Sequence, residues 1–262
     1  MDWGKANRIS RIIRPKTGRT VMLAVDHGYF LGPTTGLQVP SKAIMPLAPY
    51  ADCLMLTRGV LRTSIDPKID KPIVLRVSGG TSILTEELSD ECITVAMEDA
   101  IRLNVAGVAY SIFVGSKHER RGLLNLTKLI DECERYGIPV LAVTAVGREM
   151  VRDARYLGLA CRIAAELGAS WVKTYYCEGF EKIVESTPVP LVIAGGKKVP
   201  EKEALQLAHD AVSAGAVGVD MGRNIFQSEN PVAMIKAVRV VVHEKATVKE
   251  AYELFEKESK KK

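Results

Sequence analysis

The sequence predicts an α/β fold, a single (β/α)8 barrel of the TIM type with an extra N-terminal helix and a C-terminal helix. Three observations lead there. Short β-branched or apolar runs alternate with longer segments of helical period, with Gly or Pro punctuating between them. Eight such runs stand along 262 residues, close to the ~250 that a closed parallel barrel takes. A doubly wound open sheet would place a G-x-G-x-x-G turn after an early strand. Here the first run is followed instead by Asp26-His27-Gly28.

The elements follow in order. Residues 1–19 read as an N-terminal helical extension, with the helix over 3–13. Strands are predicted at 20–25, 52–57, 72–77, 107–113, 138–143, 170–175, 189–194 and 216–221. The clearest helices lie over 90–104, 123–136, 149–167, 201–214 and 231–244. Gly137, Gly168 and Gly215 stand where a left-handed residue ends a helix, and Ser89 or Asp90 can cap the helix after it. A last helix covers 248–257. No linker or shift of composition divides 1–262, so the chain reads as one domain, and 256–262 reads as a disordered basic tail.

Composition narrows the function. Apolar residues make up 47%, charged residues 26% and aromatics 6%, which excludes collagen, coiled coil and a disordered chain. The longest apolar runs, such as 21–25, fall far short of the ~18 residues of a membrane span and of a signal-peptide core. Cys53, Cys92, Cys133, Cys161 and Cys177 are odd in number, scattered and without C-x-x-C spacing. They read as reduced thiols of a cytoplasmic protein. His27, His118, His209 and His243 show no metal spacing, so neither a metal site nor a metal-dependent aldolase is expected. The net charge of +5 comes with no basic run interleaved with aromatics. That argues against nucleic acid and suits a small anionic substrate.

In such barrels chemistry sits at the C-terminal ends of the strands. Lys173 on the sixth strand is the sharpest candidate there. A lysine facing into the barrel loses water, and its pKa is expected to fall. Bringing it from ~10.4 to ~7.5 would cost about 4 kcal/mol, with Arg76, Lys197 or Arg223 as cations that could contribute. A neutral lysine can condense with a ketone to a Schiff base. The alternative is a solvated lysine between barrel and helix. Asp26 stands where an acid–base group would work, or it caps a helix; His27 assists it or holds a structural hydrogen bond. Gly195-Gly196 and Gly222-Arg223 follow the seventh and eighth strands. There, bare backbone N–H groups and an arginine can hold a phosphate. Tyr175 and Tyr176 are candidates for the mouth, and Cys177 reads as a structural thiol.

These residues resemble a known family. Asp26-His27-Gly28, Lys173-Thr174-Tyr175-Tyr176, Ala194-Gly195-Gly196-Lys197 and the segment from Asp220 to Phe226 are similar to the DhnA-type class I aldolases of the DeoC/FbaB group. Within that group they are closest to the LsrF branch, thiolases acting on 3-hydroxy-5-phosphonooxypentane-2,4-dione, a breakdown product of the autoinducer-2 signal. The resemblance runs from about residue 2 to 254 and includes the strings DHGYFLGPTTGL and GVDMGRNIFQ. It implies Lys173 as the Schiff-base lysine, Asp26 as the assisting carboxylate, and phosphate on Gly195, Gly196, Gly222 and Arg223. It further implies coenzyme A as co-substrate, no bound cofactor, and a homo-oligomer, often a decamer. Aldolases of the family carry Trp-x-Tyr-Pro-Arg after the fifth strand, whereas here the stretch is Thr144-Ala145-Val146-Gly147-Arg148. The missing tyrosine argues against ordinary fructose-bisphosphate cleavage and fits the thiolase branch; a transaldolase-like 2-amino-3,7-dideoxy-heptulosonate synthase is the other alternative. A sugar-phosphate sensor, or an isomerase working through a carboxylate base, would need no imine.

Overall fold

A computed structural model of the chain describes residues 2–85, 87–145 and 152–261. Eight parallel strands close on themselves: β1 Thr20–Ala24, β2 Cys53–Thr57, β3 Ile73–Arg76, β4 Gly107–Ile112, β5 Val140–Thr144, β6 Trp171–Thr174, β7 Leu191–Ala194 and β8 Gly218–Met221. β1 pairs with both β2 and β8 and so shuts the cylinder, with Met22 in register with Cys53 on one side and Asp220 on the other. Each strand lies within two residues of its predicted bounds.

Alternation along the strands sorts side chains between two cores. Outward residues such as Val21, Leu54, Val108 and Val219 are buried under the helices. Inward residues such as Met22, Met55, Val74, Leu141 and Trp171 fill the barrel. The lower end is plugged by Ile12 from α1 (Trp3–Ile12), which is 1% exposed and belongs to the interior cluster. Gly107 makes room there, since a Cβ on it would lie 3.0 Å from the Trp171 indole.

The helices differ from expectation in instructive places. In place of one helix over 90–104, Cys92–Ile93 forms a short antiparallel ladder with Ser78–Gly79, and α5 covers only Met97–Arg102 behind Ala96. Neither Ser89 nor Asp90 caps it. Glu91 is 4% exposed and accepts hydrogen bonds from Ser78 and Tyr29. Those bonds tie the segment to the barrel mouth, and the β-prone Cys92-Ile93-Thr94 that follows extends rather than coils. α6 spans Glu119–Arg135. α7 spans Ala154–Glu166 and is capped by Asp153 accepting from the Tyr156 N–H; its predicted start at 149 lies outside the described residues.

The tail is a second correction. α12 runs over Val248–Ser259, so 256–259 is helix rather than disordered chain. A capping box between Thr247 and Glu250 starts it, buried Phe255 anchors it, and Lys236 of α11 (Pro231–Glu244) lies 2.6 Å from Glu258.

The N-terminal end of the barrel is pinned by one carboxylate. Asp52 is fully buried, accepts from the Val21 N–H at 2.7 Å, and meets Arg14 at 3.1 Å, Arg239 at 3.0 Å and His243 Nε2 at 2.6 Å. Burial opposes its ionisation, but the bonds from His243, Val21 and Arg239 outweigh it and hold the carboxyl far below its usual value. We expect Asp52→Ala to lower the unfolding free energy by about 3–5 kcal/mol in urea titration, because buried partners lose their counter-charge. A folded pKa below the unfolded one gives stability that is present above about pH 4 and lost as the pH falls further. Urea midpoints of the native protein and Asp52→Asn should therefore converge in acid.

Candidate active site

The C-terminal mouth of the barrel holds a cavity of about 260 Å³. Among the residues expected from the sequence, Lys173, Asp26, His27, Tyr175, Gly195, Gly196, Gly222 and Arg223 line it, and Tyr176 and Lys197 do not. Period-two geometry explains the convergence. On β6, Trp171, Lys173 and Tyr175 share the inward face. The indole sits in the apolar floor, and Lys173 and Tyr175 line the cavity above it.

Lys173 therefore points into the barrel and is 8% exposed, which removes the solvated alternative. Its nearest charge is not one of the cations expected. Nζ lies 2.9 Å from Oδ2 of Asp220, an inward residue of β8 that is 1% exposed. Lys197 is exposed and does not line the cavity. Burial pushes the Asp220 carboxyl above its ordinary value, with Lys173 pulling in the opposite direction.

Beside this pair lies a second one. Asp26, just past β1, is 5% exposed and accepts a 2.8 Å bond from Nε of Arg76, which is equally buried. Arg76 also donates to Ser111 Oγ at 2.6 Å and Ser78 Oγ at 3.2 Å, and its guanidinium lies 5.1 Å from the centre of the Tyr29 ring. Burial opposes ionisation of Asp26, yet Arg76, His27 and Lys173 together hold its pKa below the usual carboxylate value. Asp26 is thus a carboxylate and a proton acceptor at neutral pH. It does not begin a helix: the short α2 (Gly28–Leu31) starts behind His27, which caps nothing with its side chain.

His27 is kept neutral. Burial, assisted by the charges of Lys173, Arg223 and Arg76 and opposed by Asp26, lowers its pKa to about 4. Its Nδ1 lies 3.8 Å from Asp26 and makes no hydrogen bond among the described residues. The ring stands edge-on to Phe226 and fills the space over Gly222, where a Cβ would come within 2.5 Å of it and 2.4 Å of the Ala24 carbonyl oxygen. Gly222 is thus required by the close approach of β1, while Gly196 sits in left-handed backbone at φ +70°.

The two glycine turns are held together by Asn224 of α10 (Arg223–Phe226), which donates to the Gly195 carbonyl at 2.6 Å and accepts from the Val199 N–H at 2.9 Å. Arg223 adds a guanidinium whose buried Nε has no hydrogen-bond partner among the described residues. Bare backbone, a left-handed glycine and a guanidinium with an unpaired Nε suit an anion. Tyr176 packs on Phe180 outside the cavity, and burial pushes the Cys177 thiol up, as for a structural cysteine. Thr144 and Ala145 line the cavity; Val146, Gly147 and Arg148 lie outside the described residues.

Asp220, Ser111, Glu91 and Asn224 were not among the expected site residues, and Arg76 was expected only as a cation near the lysine, not as the partner of Asp26. Two of them left a readable trace: Asp220 and Arg76 are charged residues within otherwise apolar strand runs, on the inward parity. Ser111, Glu91 and Asn224 are ordinary polar residues in sequence, and only the closed barrel aims them.

The fold and site define a (β/α)8 barrel with a buried lysine beside an anion-ready mouth. The chain belongs to the DeoC/LacD family of aldolases, whose model matches residues 20–228. It is 59% identical over 256 residues to a 3-hydroxy-5-phosphonooxypentane-2,4-dione thiolase of Photorhabdus laumondii, covering 97% of this chain and 88% of that protein. A thiolase of the same name from Salmonella typhimurium is 58% identical over the same shares of both chains. Among solved structures, an archaeal fructose 1,6-bisphosphate aldolase superposes with a TM-score of 0.83 at 25% identity, over 92% of this chain and 99% of that one. The aldolase of Slackia heliotrinireducens shares the fold, with a TM-score of 0.86 at 20% identity over 97% and 90%.

Because its pKa is low, His27 should remain neutral at about pH 5, where an ordinary histidine is mostly charged; ring NMR shifts followed through that range test this. The unfolded chain takes up a proton at about 6.5 that the folded chain refuses. His27 therefore contributes an increasing loss of stability as the pH falls from there toward 4.

Proposed function

We propose that the chain is a lysine-imine enzyme, an acetyltransferase of the thiolase type. It would transfer acetyl from 3-hydroxy-5-phosphonooxypentane-2,4-dione to coenzyme A, giving dihydroxyacetone phosphate and acetyl-CoA. The observation that carries this reading is the inward Lys173 sharing one cavity with Arg223, whose buried Nε has no hydrogen-bond partner among the described residues. The names of the relatives support the choice of substrate.

In this reading the phosphate rests on Gly195, Gly196, Gly222 and Arg223, which fixes the ketone before chemistry. Lys173 attacks the carbonyl nearer the phosphate and forms an iminium with loss of water. The coenzyme A thiolate adds to the acetyl carbonyl. The bond between that carbon and the hydroxyl-bearing carbon then breaks, and its electron pair enters the iminium as an enamine. Protonation of the enamine carbon and hydrolysis release dihydroxyacetone phosphate and regenerate the amine. Asp26, a carboxylate held by Arg76, accepts and returns protons, with neutral His27 or a water beside it. The absence of tyrosine from 144–148 favours thiolysis over aldol cleavage.

The substrate's origin would place the enzyme in autoinducer-2 breakdown, and the five free thiols suit the reducing cytoplasm.

Borohydride should trap a mass adduct of dihydroxyacetone phosphate on Lys173. Lys173→Ala should lose both the adduct and acetyl-CoA formation from the dione. Full turnover in that variant would rule out the lysine. Efficient cleavage of fructose bisphosphate, with no acetyl-CoA from the dione, would select the aldolase instead.

A further inference from the structure

We infer that Asp220 is the positioning residue for Lys173 and the internal acceptor of its proton, so that the amine is activated without a proton leaving the barrel. The inference rests on the imine reading above and adds a residue to it.

Three observations carry it. The carboxylate lies 2.9 Å from Nζ, within direct transfer distance. Both groups are buried, at 8% and 1% exposure, so neither charge is stabilised by bulk water. Among the described residues no group donates a hydrogen bond to either Asp220 oxygen, so the carboxylate is held by its 2.9 Å ion contact with the amine. A surface lysine exchanges its proton with solvent. This one faces a carboxylate whose only ion-pair partner among the described residues is the amine. A buried ion pair becomes a neutral pair by moving one proton, and the desolvation that penalises both charges lowers the cost of that move. The raised pKa of Asp220 acts in the same direction.

The proton balance closes. Ammonium gives one proton to Asp220, and the free amine adds to the ketone carbon. A second proton leaves nitrogen as the carbinolamine forms and loses its oxygen. Both protons end on that oxygen, which departs as water. Nitrogen is then an iminium, and Asp220 is again a carboxylate beside a cation. The pair starts and finishes with one positive and one negative charge, and no net charge has crossed the barrel wall.

Other charged and titratable groups surround the pair. Asp26 and His27 face it from the end of β1, Cys53 from β2 and Arg76 from β3, with Arg223 beside His27. Asp26 is bound by Arg76 at 2.8 Å, which leaves Asp220 as the carboxylate in contact with the amine. Cys53 is an inward thiol whose pKa burial raises well above its ordinary value, so it stays protonated and does not compete as a base.

The test is the rate of borohydride trapping of saturating dihydroxyacetone phosphate on Lys173, followed by mass spectrometry as the pH is varied. Internal transfer predicts a native rate that changes little between about pH 7 and 9, whereas release of the proton to solvent would raise it about tenfold per pH unit. Asp220→Asn keeps the volume and removes the base. Its trapping rate at pH 7 should fall at least about tenfold and recover as the pH rises, hydroxide replacing the lost acceptor. A purely structural role would depress trapping equally at every pH. Folding of the variant is checked by its melting temperature, and the native profile decides the matter if the variant does not fold. A tenfold-per-unit native profile overturns the inference, as does an Asp220→Asn profile parallel to the native one. If the native chain traps nothing on Lys173, the imine reading fails and the inference with it; if it traps normally, only the role of Asp220 is at stake.

Discussion

Charge cancellation inside a closed cylinder is the constraint on which the site depends. Four ionised side chains converge at the mouth of the barrel. Two are cations, Lys173 and Arg76, and two are anions, Asp220 and Asp26, in contact at 2.9 and 2.8 Å. None has enough exposure for water to carry its charge. Each must be held by its neighbour or be neutralised. The second pair is fixed, because an arginine does not release its proton and Ser78 and Ser111 accept from its Nη1. The first pair joins a lysine to a carboxyl whose pKa burial raises. One pair is built to stay charged; the other, in the inference drawn above, trades a proton.

The two ends of the barrel divide the work. At the lower end, Asp52 gathers Arg14, Arg239, His243 and a backbone N–H from β1, while Ile12 seals the interior below Trp171. These contacts join α1, α11 and the first strands, and no cavity residue takes part. At the upper end, polar groups replace the apolar layers, and the short ladder of Ser78–Gly79 with Cys92–Ile93 brings Glu91 over the mouth. Conserving energy at one end leaves the other free to carry buried charge at a cost in stability.

The barrel could be read from the chain because each strand is a short apolar run closed by a polar residue, and repetition makes eight weak indications into one pattern. Lys173, Asp26 and the glycine turns were legible for the same reason: they stand just where strands end. The Asp220 contact was not, because pairing across the barrel depends on its stagger, and nothing local says that β6 and β8 bring those two residues to one height. Helix 90–104 misled for a different reason. Its composition suits a helix, but the buried hydrogen bonds of Glu91 reward an extended segment, and tertiary contact overrides local preference. The tail misled in the opposite sense, since its lysines suggested solvent while Phe255 and Glu258 dock on the barrel's outer helices.

Asn224 has a consequence for how such a site can change. It is completely buried, and its one amide spans two loops that belong to different strand–helix units. The two turns are therefore a single rigid cradle whose halves are far apart in the chain. A substitution near Val199 would be felt at Arg223 without touching it. Divergence toward a new phosphorylated substrate must then alter both loops in concert, or leave the cradle alone and vary the opposite wall.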